Sequence, residues 1–232
     1  MILTALGLGL VVLAGLASRH QAPPPADDLC RVFAERPDWL RAARRTAREW
    51  QVTEAVQMAF IRQESGFRAP ARPPRRRWWI LPGPRPSTAF GYAQALDATW
   101  DEYRRSHGKW GARRDRFADA ADFVGWHVHR LHRELGLEKS DARQLYLAYH
   151  EGARGFRERR YEEKPQVMRA ASRVAALASS YAGQYEVCGT FLHRRQQLAY
   201  AARIAGALGL VLLLGYAVWG QQRRQRRLTR RL

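Results

Sequence analysis

The C-terminal end of the chain combines a long apolar segment with a cluster of arginines. Residues 204–219 contain no charge, and with residues 200–202 they approach the length of about 20 residues that spans a bilayer core. Six arginines follow this segment: Arg223, Arg224, Arg226, Arg227, Arg230 and Arg231. Because basic flanks stay in the cytoplasm, the pattern predicts a transmembrane helix at 198–220 and a basic cytoplasmic tail at 221–232. The alternative is a buried core helix with a basic end.

The N-terminal end is also apolar. Residues 2–17 form an unbroken run of apolar or small residues, and Ala14, Gly15 and Ala17 near its end are of the small type that precedes signal-peptide cleavage sites. The run predicts either a cleaved signal peptide or a retained signal anchor over 1–21, followed by a proline-containing linker at 22–29. In both cases the domain at 30–190 is expected outside the cytoplasm.

The chain is strongly basic, with a net charge of +19. An excess of this size often indicates nucleic-acid binding, but the two export signals argue against nucleic acid as a partner. Anionic wall polymers, acidic peptides and anionic lipid head groups are the expected partners instead. A coding bias towards arginine is the simpler alternative.

Only two cysteines are present, and they stand at the beginning and the end of the predicted domain. In an oxidising compartment an even pair of this kind indicates one structural disulfide, between Cys30 and Cys188. Two unrelated free thiols are the alternative.

The intervening sequence predicts a mostly helical domain. Apolar residues recur at helical spacing over 39–50, 52–63, 118–135 and 166–187, and shorter helices are expected after Asp97 and before Ala148. Residues suited to helix ends stand at the borders: Asp38, Thr53 or Gln51, Gly66, Asp97, and Ser140 or Asp141. Prolines in 69–86 predict a long loop without regular structure, and its Arg75–Ile80 tract suits either a solvated loop or a membrane or glycan surface.

Glu64 is the candidate catalytic residue. It ends the segment 52–63, where the negative end of the helix dipole and apolar neighbours both favour the neutral acid and raise its pKa. A carboxyl group that stays protonated near neutral pH can donate a proton to a glycosidic oxygen. The alternative is an ordinary surface glutamate.

Three short motifs follow one another in a fixed order. Gln63-Glu64-Ser65 is followed by Gly91-Tyr92-Ala93-Gln94 and then by Ala148-Tyr149-His150-Glu151-Gly152. This order resembles the lytic transglycosylases of the soluble (SLT) type, which cleave peptidoglycan. The resemblance implies a lysozyme-like helical domain that needs no cofactor. It also implies glycan strands as substrate, and location at the inner membrane with the domain in the periplasm, where an envelope-spanning assembly is a further expected partner.

The resemblance also implies a role for each matching residue. Glu64 would act first as acid and then as base in cleaving the MurNAc–GlcNAc bond, leaving a 1,6-anhydro end. Ser65 would orient the acid or the sugar, and the hydroxyl of Tyr149 would approach the acid. The remaining substrate-binding positions are Gly91, Tyr92, Gln94 and His150. His150 replaces an asparagine that contacts sugar in relatives.

Two alternatives to this function remain at the level of sequence. A goose-type-like hydrolase would need a second, water-activating carboxylate, but Asp97, Asp119 and Asp122 look like helix caps or solvated side chains. A catalytically inactive peptidoglycan-binding scaffold is the other alternative. Metal binding is not predicted, since no two of three histidines have the i, i+4 spacing that one helical face offers a zinc ion, and no cysteine joins them. These are His127, His129 and His132.

Overall fold

The computed structural model describes residues 26–75, 77–78 and 81–229, and most of them are helical. In chain order the elements are α1 (Leu29–Glu35), α2 (Pro37–Trp50), α3 (Glu54–Ser65), β1 (Arg77–Trp78), β2 (Leu81–Pro82), α4 (Asp97–Ser106), α5 (Phe117–Leu135), α6 (Ala142–Arg157) and α7 (Pro165–Thr229). The predicted mostly helical fold is confirmed. The predicted signal segment 1–21, the linker as far as residue 25 and the tail end 230–232 lie outside the described residues.

Several helix ends form as local sequence chemistry predicts. The side chain of Thr53 accepts a hydrogen bond from the Val56 amide at the start of α3, and Asp141 accepts one from the Gln144 amide at the start of α6. Gly66 ends α3 in the left-handed conformation. The position of Glu64, in the last turn before a defined helix end, therefore follows from local signals alone.

Two other predicted caps are wrong in detail. Helix α2 begins with Pro37 in its first turn, so Asp38 lies inside the helix and makes no capping hydrogen bond. Helix α4 has Leu96 as its N-cap residue, and the amide of Asp97 donates to the Thr88 hydroxyl at 3.1 Å. In both helices the acidic residue still lies in the first turn, where it complements the helix dipole.

The proline-rich loop contains one small regular element that the sequence did not predict. Strands β1 and β2 pair in an antiparallel manner over two residues each. Two arginines stabilise the loop on either side of this hairpin. The Arg75 guanidinium donates to the Gly83 carbonyl at 3.5 Å, and the Arg85 guanidinium donates to the Pro73 carbonyl at 2.5 Å. Positions 76, 79 and 80 of the Arg-Trp tract lie outside the described residues.

Helix α5 is the central element of the domain and packs against α2, α3, α4 and α6. On one side the rings of Trp39 and Phe117 stack with centroids 4.1 Å apart. On the other side α3 and α6 meet through aromatic contacts. The Phe60 ring lies 5.4 Å from the Tyr146 ring and 5.3 Å from the Tyr149 ring, both edge-on. Since Phe60 is one turn before Glu64, this packing brings the end of α3 beside α6.

The chain divides into two compact units, Met1–Glu186 and Val187–Leu232. Both segments predicted as helices, 166–187 and 198–220, are helical, but they belong to one helix, α7 (Pro165–Thr229), and not to two separate ones. The connecting residues 188–197 contain no proline and a single glycine, so they offer little to end a helix. Among the described helices, one is long and apolar enough to cross a membrane by length and composition, over Pro165–Leu213.

Both cysteines are disulfide-bonded, and no free thiol is present. This agrees with the single disulfide expected from the positions of Cys30 and Cys188. Helix α1 begins at Leu29, so the folded region starts one residue before the boundary expected at residue 30.

Candidate active site

Glu64 lies in the last turn of α3 and is half-buried. Burial removes water from its carboxyl group and raises the pKa of Glu64 from 4.5 to about 7, and this effect exceeds the opposing effect of a hydrogen bond with Tyr146. The direction agrees with the expectation from sequence. At neutral pH a substantial fraction of this side chain is a neutral acid.

A cleft of about 540 Å³ opens beside this carboxyl group. We call it the Glu64 cleft, and it is lined by Asp27, Arg62, Gln63, Glu64, Ser65, Gly66, Arg68, Arg173 and Leu177. Its three arginines come from α3, the segment after it and α7. The cleft therefore presents a protonatable carboxyl group among cationic side chains, an arrangement that the sequence motifs did not predict.

Tyr146 is the partner of Glu64 that sequence reasoning missed. Its hydroxyl interacts by hydrogen bonding with the Glu64 carboxyl group, and the side chain is buried, 3% exposed. Burial first, and then the proximity of Glu64, raise the pKa of the Tyr146 phenol, so it remains a neutral donor. A signal was present, because Tyr146 precedes Tyr149 by three residues and therefore shares its face of α6.

Tyr149, the expected neighbour of the acid, makes its hydrogen bond elsewhere. Its hydroxyl donates to the Ala93 carbonyl at 2.8 Å and so fastens α6 to the loop of the second motif. Burial, and then the charge of Glu64, raise the pKa of Tyr149 well above 10. The electrostatic effect of Glu64 shows that the tyrosine is near the acid, although its hydroxyl bonds to the loop.

Gly91 has a backbone conformation that residues with a side chain adopt only with strain. Its φ is +81°, and a Cβ atom added to it would lie 2.1 Å from the Arg114 carbonyl oxygen. Its amide donates to the Ala71 carbonyl at 3.0 Å. The motif glycine is therefore needed for the loop to pass close to the neighbouring segment.

Gln94 uses its side-chain amide to hold the same loop. Its Nε2 donates to the Ala71 carbonyl at 2.9 Å and to the Gly91 carbonyl at 2.8 Å. Both N–H donors of this group are thus engaged within the protein. The side-chain oxygen of Gln94 therefore remains available for the expected contact with substrate.

Ser65 and Tyr92 also have partners within the protein. The Ser65 hydroxyl, although its residue lines the Glu64 cleft, donates to the Ile61 carbonyl at 3.0 Å. The Tyr92 ring packs edge-on against Trp39 and Phe117, with centroids 5.6 and 5.4 Å away. The Tyr92 ring therefore packs in the core, and its role in binding substrate stays a prediction.

The family comparison agrees with the order of the motifs and with this geometry. The family model of the transglycosylase SLT domain matches residues 4–188. The chain belongs to this family. Its activity is therefore of the lytic-transglycosylase type, which degrades peptidoglycan. No curated protein matches the chain.

The third motif of this SLT domain departs from the family pattern at His150 and Glu151, and the structure gives a role to both. The Glu151 carboxylate, with a side chain 3% exposed, accepts hydrogen bonds from Lys164 at 2.7 and 3.0 Å and contacts His150 Nδ1 at 3.0 Å. Burial alone would raise the pKa of Glu151, but Lys164 and His150 outweigh it and hold the pKa below its usual range. Gly152, with φ of +72°, then kinks α6. The exposed His150 thus orients Glu151, which anchors the chain before α7.

The candidate second carboxylates of this SLT domain are all engaged away from the Glu64 cleft. Asp97 pairs with Arg114 at 2.7 Å, and Asp119 pairs with Arg116 at 2.6 Å. Asp122 differs from the expected solvated residue, because it is buried. Its carboxylate accepts hydrogen bonds from Trp50, Tyr103 and Lys109.

Of the three histidines considered for metal binding, His127 has an unexpected environment. It is buried rather than part of a polar flank, and burial, assisted by Arg130, lowers the pKa of His127 to about 3. Its ring contacts the Tyr149 ring edge-on at 4.9 Å. Within the described residues no group of three or more His, Cys, Asp or Glu side chains is arranged to hold a metal ion.

Proposed function

We propose that this SLT domain is a peptidoglycan lytic transglycosylase that cleaves the MurNAc–GlcNAc bond without water and leaves 1,6-anhydro-MurNAc ends. The observation that carries the proposal is the Glu64 carboxyl group. It lies in the wall of a cleft, and its pKa is raised to about 7. A group that is readily protonated and deprotonated at neutral pH suits both proton transfers of the reaction.

In the first step Glu64 gives its proton to the bridging oxygen as the bond to C1 of MurNAc breaks. The N-acetyl group of the same sugar stabilises the cationic centre that develops at C1. In the second step the Glu64 carboxylate takes the proton of the C6 hydroxyl while the oxygen of that hydroxyl bonds to C1. The acid is thereby restored, and no water is consumed.

The surroundings of Glu64 support a single-carboxylate reaction. Hydrolysis would need a second carboxylate to activate water. Asp97, Asp119 and Asp122 are each bound to other residues, and none of them lines the Glu64 cleft. Asp27 does line the cleft, but its carboxylate pairs with Arg62 at 3.4 Å. Tyr146 also supports the reaction. Its neutral hydroxyl can donate a hydrogen bond to Glu64 when the carboxyl group is ionised after the first step.

We also propose that α7 anchors the domain in the inner membrane. In the second unit large apolar side chains are exposed, among them Leu208, Leu212 and Tyr216. This is expected of a helix surrounded by lipid. With a membrane helix at 198–220 and a basic cytoplasmic tail at 221–232, the domain at 30–190 would face the periplasm. Glycan strands would then be its partner there, together with an envelope-spanning assembly.

Digestion of purified sacculi followed by mass spectrometry tests the proposed function. We expect the full chain to release products with anhydro ends, which are lighter than reducing ends by one water. Glu64→Gln should release none, whereas Glu163→Gln, a change at an exposed residue, should behave as wild type. Products with reducing ends, or full activity in Glu64→Gln, would refute the proposal.

A further inference from the structure

The Glu64 cleft carries more positive charge than cleavage of a sugar bond requires. Three arginines line it: Arg62, Arg68 and Arg173. Arg62 pairs with Asp27 at 3.4 Å, while Arg68 donates from its Nε to the Ser65 carbonyl at 3.0 Å. Glycan rings carry no charge of their own, so this lining indicates an anionic group on the ligand.

A second cavity of about 350 Å³ continues this cationic surface. We call it the arginine groove, and it is lined by Arg143, Met168, Arg169, Ser172 and Arg173. Arg173 belongs to both cavities and donates from its Nε to the Gln63 side chain at 3.4 Å, next to Glu64. The arginine groove therefore adjoins the Glu64 cleft through a shared residue.

Two of the three arginines of the groove, Arg143 and Arg169, have no polar partner within the described part of the protein. Among the described residues neither Arg143 nor Arg169 forms an ion pair or a side-chain hydrogen bond, and both are exposed. Arg169 and Arg173 lie four residues apart on α7, a spacing at which like charges repel and slightly destabilise a helix. No carboxylate lines the groove.

We propose that the arginine groove binds the carboxylates of the acidic peptide attached to the glycan, so that the enzyme prefers peptide-bearing strands. This inference rests on the proposed function, which places MurNAc, the sugar that bears the peptide, beside Glu64. Because Arg173 lines both cavities, a peptide on that sugar would extend from the Glu64 cleft into the arginine groove. Arginine forks match carboxylates in geometry and charge, and Met168 offers an apolar contact to the peptide backbone or its methyl groups.

Binding measurements in the Glu64→Gln background test this inference without cleavage. Two ligands are compared: soluble glycan strands that keep their peptides and the same strands after an amidase has removed the peptides. We expect Arg143→Ala with Arg169→Ala to weaken binding of the peptide-bearing strands by about tenfold, because each exposed ion pair changes affinity by up to about fivefold. The amidase leaves a free lactyl carboxylate on each MurNAc, but this short group stays beside the sugar ring. Binding of the stripped strands should therefore not change in the groove variant.

A matched variant controls for the loss of net charge. Arg105→Ala with Arg133→Ala removes the same charge from exposed positions outside both cavities and should leave binding unchanged. Equal affinity of the Glu64→Gln protein for the two kinds of strand would overturn the inference. It would also be overturned if the groove variant weakened binding only to phosphatidylglycerol vesicles, because the arginines would then bind lipid.

The two proposals fail in different ways. If wild-type protein leaves sacculi intact but the preference for peptide-bearing strands persists, the proposed reaction is wrong and the groove still binds peptide. If sacculi are cleaved and the preference is absent, the groove inference alone is wrong. Circular dichroism of the groove variant checks its folding, and Arg143→Lys with Arg169→Lys should retain part of the preference because the charge remains.

Discussion

The hydroxyl group of Tyr146 and the carboxyl group of Glu64 interact by hydrogen bonding, although the two residues lie on different helices, α6 and α3. Burial raises the pKa of Glu64 to about 7, and the bond with Tyr146 acts in the opposite direction. The pKa of the proposed acid is therefore a balance between desolvation and one donor. This balance can be altered by removing a single oxygen atom.

Tyr146→Phe should move the pH dependence of cleavage. Because the lost hydrogen bond lowers the pKa of Glu64, the variant should have a higher pKa, and the decline of kcat/KM with rising pH should begin at a higher pH. The rate of product release from sacculi across a pH series measures this. Tyr161→Phe is the control, because its ring packs on Phe156 away from the cleft. A fall in rate without a change in the pH profile would mean that Tyr146 does not affect Glu64.

Glu64→Gln should stabilise the fold at alkaline pH more than at acidic pH. The folded protein retains the Glu64 proton up to about pH 7, whereas the unfolded chain loses it near 4.5. Stability therefore falls as pH rises through this window. The variant should gain at most about 3 kcal/mol relative to wild type between pH 4 and pH 8, since one pKa unit corresponds to about 1.4 kcal/mol. Urea unfolding at both pH values measures the gain, and an equal effect at both would contradict the burial of this carboxyl group.

Gly91→Ala should destabilise the domain and abolish cleavage. The added Cβ would overlap the Arg114 carbonyl oxygen, and alanine would be strained at a φ of +81°. We expect a loss of roughly 2–4 kcal/mol in the free energy of unfolding. Gly111→Ala is the matched control, because its Cβ would meet no atom within 4 Å. Wild-type stability in Gly91→Ala would show that the loop does not have this geometry.

Replacement of both cysteines by serine should lower the free energy of unfolding by about 2–4 kcal/mol. The disulfide-bonded state of Cys30 and Cys188 also predicts that unreduced protein shows no reactive thiol in a thiol assay. Wild-type protein treated with a reductant should unfold like the serine variant. Two reactive thiols in unreduced protein would contradict the bond.

Local sequence signals predicted the position of the proposed acid well. Thr53 and Gly66 define the ends of α3, and the chemistry of each residue is sufficient to place the helix around Glu64. The raised pKa was also predictable, because the apolar neighbours of Glu64 are adjacent in sequence. Desolvation, one of the two causes expected, is its largest cause.

The partners of Glu64 were not predictable to the same extent. Whether Tyr146 or Tyr149 reaches the acid depends on how α6 rotates against α3, and this rotation is set by packing on Phe60. A motif cannot reveal that the Gln94 amide is used to hold its own loop, since its partner Ala71 lies 23 residues earlier. The cationic lining was missed for a similar reason, because α3 and α7 contribute to it from distant parts of the chain.

Digestion of purified sacculi in water labelled with oxygen-18 tests the central claim most directly. If Glu64 alone carries the proton in both steps and the C6 hydroxyl closes the ring, the released ends should lack one water and contain no label. Reducing ends that carry one labelled oxygen at C1 would show that water attacks the sugar, and would contradict the account.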